Sequence, residues 1–279
     1  MKTHSILVSF LSLLMLSLSA SATPSSSGLD TGKGNQKPSK KLPVPGEVFS
    51  IEGHTAFLAL PQHRPAGKPT PWIWYAPTLS GLPGKEETWM FDQFLAHGIA
   101  IAGVDVGESM GNPAGVAVYS AFYHNLVSKR GMAAKPCLLP RSRGGLMLYN
   151  WAVENPHSVA AIAGIYPVGN LASYPGLARA SKAYGMSEKE LAANLARYNP
   201  IDRLAPLAKA GVPILHMHGD NDTTVPMNQN SAIVKKRYEQ LGGTMTLQIV
   251  KGGGHDLNPH WFHSQSLVDF AIEHATSGK

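Results

Sequence analysis

The segment Cys137-Leu138-Leu139-Pro140-Arg141-Ser142-Arg143-Gly144-Gly145 offers the clearest chemistry in the chain. A short apolar run meets a serine and then small residues. A tight turn of this kind, between a strand and a helix, lifts the hydroxyl above a sheet edge. The helix N-terminus beneath it favours negative charge. The glycines let the helix approach the strand. A serine hydroxyl is a poor nucleophile at neutral pH, so it needs a base to take its proton and fixed donors to hold an oxyanion. Other residues offer less. His255, His260 and His263 fit no zinc-protease spacing, and no carboxylate is placed beside them, so no metal and no cofactor are expected. Gly107-Glu108-Ser109-Met110-Gly111 lacks a phosphate-binding fingerprint and reads as a wall of the site, with Glu108 a candidate substrate contact. Cys137, the single cysteine, excludes an intramolecular disulfide and reads as an inert buried thiol.

The elements that must hold these residues follow from apolar patterning. Val48 to Ile51 and Thr55 to Leu60 read as a hairpin around Glu52-Gly53-His54. Trp72 to Ala76, Ile99 to Val104, Pro136 to Leu139, Val159 to Ile165, Val212 to Met217 and Met245 to Val250 read as buried strands. Helices are expected over 88–97, 114–129 and 143–155, from the fifth of these strands' loop to Leu241, and over Trp261 to Glu273. Trp89, Phe91 and Phe94 read as core. The strands are apolar throughout and alternate with helices, the mark of a mostly parallel sheet covered on both faces. Residues 171–200 break the alternation with two helical patterns, Leu177 to Tyr184 and Glu188 to Tyr198, and read as a small helical cap over the sheet's C-terminal edge, where ligands bind in open α/β sheets.

The serine segment resembles the nucleophile elbow of α/β-hydrolases, G-x-S-x-G, with Pro140 standing where the first glycine belongs and Gly144 at the second. Two later loops carry the same resemblance. His218-Gly219-Asp220-Asn221-Asp222-Thr223-Thr224-Val225-Pro226 is similar to the family's H-G-x-x-D-x-x-V-P loop, which puts the acid on Asp222, with Asp220 the competitor. Lys251-Gly252-Gly253-Gly254-His255 resembles the loop that carries the base. The order serine, acid, histidine is the family's order. The likeness extends over residues 46–275 and is nearest to prolyl-oligopeptidase-like and dienelactone-hydrolase-like proteins. It implies an α/β-hydrolase fold with about eight strands and a Ser142–Asp222–His255 triad. It also implies an oxyanion hole made by the Arg143 N–H and an N–H from Pro77-Thr78-Leu79-Ser80-Gly81, on Thr78 or Leu79. His218 is expected to brace the acid loop. Arg141 and Arg143 could aim a guanidinium at the oxyanion or at an anionic substrate. The Ser142-Arg143 pair also resembles, locally, that of glucuronoyl esterases, which adds acidic sugar esters to the candidate substrates.

Composition bounds the setting. Of 279 residues 43% are apolar and 15% charged, enough for one sizeable core and against a wholly disordered chain. Lys2, the apolar run Ile6 to Leu18 and Ala20-Ser21-Ala22 read as a cleavable leader over residues 1–22, so a periplasmic or secreted protein without a stable membrane anchor is expected. Residues 23–45, rich in Ser, Gly, Pro and Lys, read as a flexible tether ahead of a catalytic domain over 46–279. The formal charge of +6 is concentrated in the leader and tether, which argues against a nucleic-acid groove on the body. The oligomeric state is not legible. The expected activity is hydrolysis of a carboxylic ester through an acyl-enzyme. A prolyl-oligopeptidase-like peptidase is the alternative, and a catalytically silent hydrolase-fold binding protein, with the elbow distorted by Pro140, is a second.

Overall fold

The computed structural model describes residues 38–64 and 66–277. The expected leader and residues 23–37 of the expected tether lie outside them. Strands β1 (Glu47–Ile51), β2 (His54–Ala59), β3 (Trp72–Tyr75), β4 (Ala100–Val104), β5 (Cys137–Leu139), β6 (Ala161–Ile165), β7 (Ile214–Gly219) and β8 (Met245–Val250) form one sheet, ordered β1-β2-β4-β3-β5-β6-β7-β8. The opening hairpin pairs antiparallel with itself and with β4, and every later pairing is parallel. Each strand lies within two residues of its expected place.

The helices are α1 (Thr88–Ala96), α2 (Pro113–Arg130), α3 (Gly144–Glu154), α4 (Leu177–Tyr184), α5 (Glu188–Ala193), α6 (Leu195–Tyr198), α7 (Ala205–Lys209), α8 (Ser231–Gln240), α9 (Pro259–Phe262) and α10 (Gln265–Ser277). α1 and α10 cover one face of the sheet; α2, α3, α7 and α8 cover the other. Strand side chains alternate between the two layers. Trp72 and Trp74 of β3 enter the first, Ile73 and Tyr75 the second. Trp74 lies 4.6 Å from the Trp151 ring and 5.3 Å from those of Tyr119 and Phe122. Truncating a tryptophan buried in this way costs about 3–5 kcal/mol.

Two expected helices are broken. The pattern over Glu188 to Tyr198 divides at Asn194, whose side-chain amide turns back to the Glu190 carbonyl at 2.8 Å. The final helix divides at His263–Ser264: the Ser264 hydroxyl accepts the Leu267 N–H at 3.3 Å and starts α10 afresh. The end of the expected tether is also corrected. Over residues 38–45 the chain is bound to the body rather than free. Lys40 Nζ meets the Ser80 carbonyl at 2.9 Å and the Asp105 carboxylate at 3.1 Å, and Val44 is buried against the α1 and α10 layer.

The cap is where the sequence put it. Leu171, Ala180, Leu191 and Tyr198 pack on Met110, Leu146, Val168 and Val225, residues of the loops and helix above the strands' C-terminal ends. Asn112 ties it down: its carbonyl oxygen caps α2 at Gly115 N–H (2.8 Å), and its amide donates to the Ala183 carbonyl (2.5 Å).

Candidate active site

β5 ends at Leu139, and the chain turns into α3 within a few residues. Ser142 stands at that turn with φ 50°, in the left-handed region that favours glycine. Neighbouring strands hold it there: the Ser142 N–H donates to the Ile165 carbonyl at 3.1 Å, and the Ser142 carbonyl accepts the Val168 N–H at 2.8 Å. Gly145 is required by the same crowding, since a Cβ there would stand 2.3 Å from the Val168 oxygen. Pro140 does not spoil the turn. Its carbonyl accepts the Ile165 N–H at 2.9 Å, which continues the parallel ladder toward the serine.

The three residues named from the loops meet. The Ser142 hydroxyl lies 2.8 Å from His255 Nε2, and His255 Nδ1 lies 2.8 Å from Asp222 Oδ2. A carboxylate only accepts, so Nδ1 carries the imidazole proton and Nε2 is left to take one from the serine. Asp220, the competing acid, is engaged elsewhere, accepting the Gly252 N–H at 2.6 Å. The two loops touch through glycine: a Cβ on Gly219 would stand 2.0 Å from the Gly253 oxygen, so only glycine lets the acid loop close on the histidine loop.

Burial alone would raise the Asp222 carboxyl. Hydrogen bonds from His218, His255 and the Val225 N–H outweigh it and hold the group well below the usual carboxylate range. Asp222 Oδ1 accepts the Thr224 and Val225 N–H groups at 3.0 and 2.7 Å, and Oδ2 has His218 Nε2 at 3.3 Å besides His255. His218 thus stands against the acid loop.

The expected oxyanion donors sort by position. The N–H groups of Arg143 and Thr78 meet no acceptor among the described residues. Thr78 is buried, and its methyl lies 3.9 Å from the place of a Cβ on Gly144, beside the elbow. Leu79 is 51% exposed, which leaves Thr78 the better placed of the two.

The side chains of Arg141, Arg143 and Glu108, expected to contact substrate, are engaged by protein groups. Arg141 Nη1 pairs with Glu87 at 2.5 Å, and its guanidinium lies 4.8 Å from the Phe262 ring centroid. Glu87 is fully buried and also accepts from Tyr75 and the Gly84 N–H, so a strong pair of opposite charges claims Arg141. Arg143 pairs with Glu108 at 2.5 Å, and Arg179 of the cap approaches Glu108 at 3.6 Å.

Tyr166, the residue after β6, was not legible as part of the site. Its ring lies 4.3 Å from that of His255, and its hydroxyl donates to the Asp256 carbonyl at 3.1 Å. His260 lies against Trp261 and His263 against Trp89. Burial pushes the Cys137 thiol up to about 12, which keeps it unreactive at neutral pH.

A serine at a strained turn, a histidine on its hydroxyl and a buried carboxylate on that histidine form an arrangement suited to acyl transfer. Residues 133–275, from just before β5 to near the C-terminus, match the prolyl oligopeptidase family. The chain belongs to that family. It has an α/β-hydrolase fold. No curated protein matches it. Among solved structures it is similar to a putative dipeptidyl aminopeptidase IV from Bacteroides ovatus (15% identity, TM-score 0.65), with 82% of this chain covered and 35% of the other. It is also similar to a truncated carbohydrate esterase from gut microbiota (20%, TM-score 0.63), with 81% and 93% covered. A third is Est1E from Butyrivibrio proteoclasticus (16%, TM-score 0.61), with 82% and 98% covered. The chain therefore spans about a third of the length of the peptidase and nearly the whole of the two esterases. At these identities the likeness shows the fold.

Proposed function

We propose that this prolyl oligopeptidase family member hydrolyses a carboxylic ester through an acyl-enzyme on Ser142. The observation that carries the reading is the continuous hydrogen-bonded line from Ser142 through His255 to Asp222. In this mechanism Ser142 Oγ attacks the ester carbonyl while His255 Nε2 takes its proton. The resulting oxyanion is held by the N–H groups of Arg143 and Thr78. His255 then protonates the departing alcohol, and the acyl group remains on Ser142. Water repeats the sequence, giving up a proton to His255 as it releases the acid and restores the serine. Asp222 keeps the imidazole oriented and balances its positive charge in each half.

The fold likeness to a carbohydrate esterase and to Est1E supports the ester reading. The family's name favours the second reading, a peptidase. The leader read in residues 1–22 supports action outside the cytoplasm, which N-terminal sequencing of exported protein tests.

A fluorophosphonate probe tests the nucleophile, since it needs an activated serine and little else. Labelling of native protein, lost in Ser142→Ala and after heat denaturation, is expected. Labelling that survives Ser142→Ala would discard the mechanism. A p-nitrophenyl acyl ester beside a proline-containing p-nitroanilide then separates the readings. We expect turnover of the ester, reduced by roughly 10⁴-fold or more in Ser142→Ala. Faster anilide cleavage would favour the peptidase.

A further inference from the structure

Behind the acid lies a line of buried polar groups that the mechanism above does not use. Tyr149 of α3 places its hydroxyl 2.8 Å from His216 Nε2. His216 Nδ1 lies 2.9 Å from the hydroxyl of Ser231, the first residue of α8. The same hydroxyl lies 2.7 Å from His218 Nδ1. His218 Nε2 lies 2.8 Å from the Val225 carbonyl and 3.3 Å from Asp222 Oδ2. All four side chains are buried.

The proton positions follow from parity. The Val225 carbonyl and the Asp222 carboxylate only accept, so His218 Nε2 carries a proton. If His218 is neutral, its Nδ1 is bare and must accept, and among the described residues the only donor facing it is the Ser231 hydroxyl. That hydroxyl has one proton. Having given it to His218, it can only accept from His216, so His216 Nδ1 is protonated. His216 Nε2 is then bare and accepts the Tyr149 proton. Every donor meets an acceptor. A cationic His218 would instead reverse the line, with Ser231 donating to His216 Nδ1 and His216 Nε2–H to Tyr149, and leave the Tyr149 proton with no acceptor among the described residues. Burial keeps His216 neutral, pushing it down to about 3, with His218 beside it adding to the effect, and burial keeps the Tyr149 phenol protonated. The fold reserves room for this line: a Cβ on Gly164 of β6 would stand 2.7 Å from His216 Cδ2.

We infer that Tyr149, His216, Ser231 and His218 form a one-directional hydrogen-bond chain, every proton pointing toward the acid loop, that fixes Asp222 in the orientation His255 requires. The chain starts on α3, the helix that begins at the nucleophile turn, and ends on the acid, so it ties two members of the triad through the body of the protein. Ser231 is its pivot. These are positioning residues: they act through Asp222 and touch no substrate. The catalytic consequence rests on the proposed role of Ser142; the proton order does not.

The test has two arms. In the first, long-range ¹H–¹⁵N correlation of histidine-labelled protein at neutral pH reads ring protonation, with His216→Gln and His218→Gln assigning the signals. We expect His216 protonated on Nδ1 alone and His218 on Nε2 alone. The same tautomer on both rings, or a cationic ring, would overturn the proton order. In the second, the rate of fluorophosphonate labelling is measured in a double-mutant cycle of Ser231→Ala and Asp222→Asn. Ser231→Ala should slow labelling about tenfold with Asp222 present and have little further effect in Asp222→Asn. Ser231→Thr, which keeps the hydroxyl, should restore most of the rate. Equal fold losses on both backgrounds, or no rescue by threonine, would reduce Ser231 to a packing role and overturn the positioning claim. A wild-type protein that does not label would refute the nucleophile assignment and with it the catalytic half of the inference, while the tautomer result would still decide the proton order.

Discussion

Ser142 keeps a left-handed backbone, φ 50°, that a residue with a side chain adopts at a cost of about 1–2 kcal/mol. The hydrogen bonds to Ile165 and Val168 impose it. Two substitutions that both remove the hydroxyl should therefore differ in stability. Ser142→Gly relieves the strain and Ser142→Ala does not, so the glycine variant should be the more stable by about 1 kcal/mol in urea denaturation. Equal stabilities would mean the turn is not strained. Gly145 gives the converse case. With a Cβ only 2.3 Å from the Val168 oxygen, Gly145→Ala must move backbone. A loss of about 2–3 kcal/mol is expected, together with slower probe labelling, because the shift is felt at the adjoining turn.

The Arg141–Glu87 pair shows how neighbouring elements are locked around that turn. Glu87 immediately precedes α1, and Arg141 follows β5, so the pair fastens a helix of one layer to the strand that carries the nucleophile. Arg141→Met leaves a buried carboxylate without its countercharge and should cost about 3–5 kcal/mol. Adding Glu87→Gln removes that charge as well, and the double variant should recover most of the loss. Thermal or urea unfolding of the three variants checks this, and additive losses would show that the two side chains act separately. Spacing along the chain could not assign this partner. The arginine beside the serine invites a substrate role, and the glutamate that claims it is 54 residues away. Their meeting depends on β3 and β5 being neighbours, with α1 packed over them.

Acid should unfold the protein in two stages. His216 is held neutral down to about 3, against 6.5 in the unfolded chain. Between these values the unfolded state binds a proton that the folded state refuses, so stability rises with pH and falls as the solution is acidified. The slope from this group is about 1.4 kcal/mol per pH unit. The lowered Asp222 contributes in the other stage: its stabilisation is present above about pH 4, the unfolded carboxylate value, and is lost as pH falls toward the lowered folded value. Denaturant unfolding between pH 6 and 4 should thus be less pH-dependent in His216→Gln than in wild type by about that slope. Asp222→Asn should keep the wild-type slope there and differ only below pH 4. Identical slopes for His216→Gln and wild type would show that His216 is protonated in the folded protein.

Local sequence was enough for the sheet and the cap, and the resemblance of three loops to α/β-hydrolase motifs named the residues that meet at the sheet's edge. An apolar run between turn residues declares a buried strand from its neighbours alone, and a serine before Gly144-Gly145 declares a tight entry into a helix. Other features had no local signal. Ser231 looks like an ordinary helix start, and Tyr149 and His216 look like core residues of a helix and a strand. Their hydrogen bonds exist because β6 and β7 lie side by side under α3 and α8, and a single hydroxyl can serve two imidazoles only where that packing brings both rings to it. Residues matching the motifs of a known fold named the reacting groups; packing between distant segments selected the groups that hold them, because hydrogen bonds and ion pairs form across space and the chain order does not state which surfaces will touch.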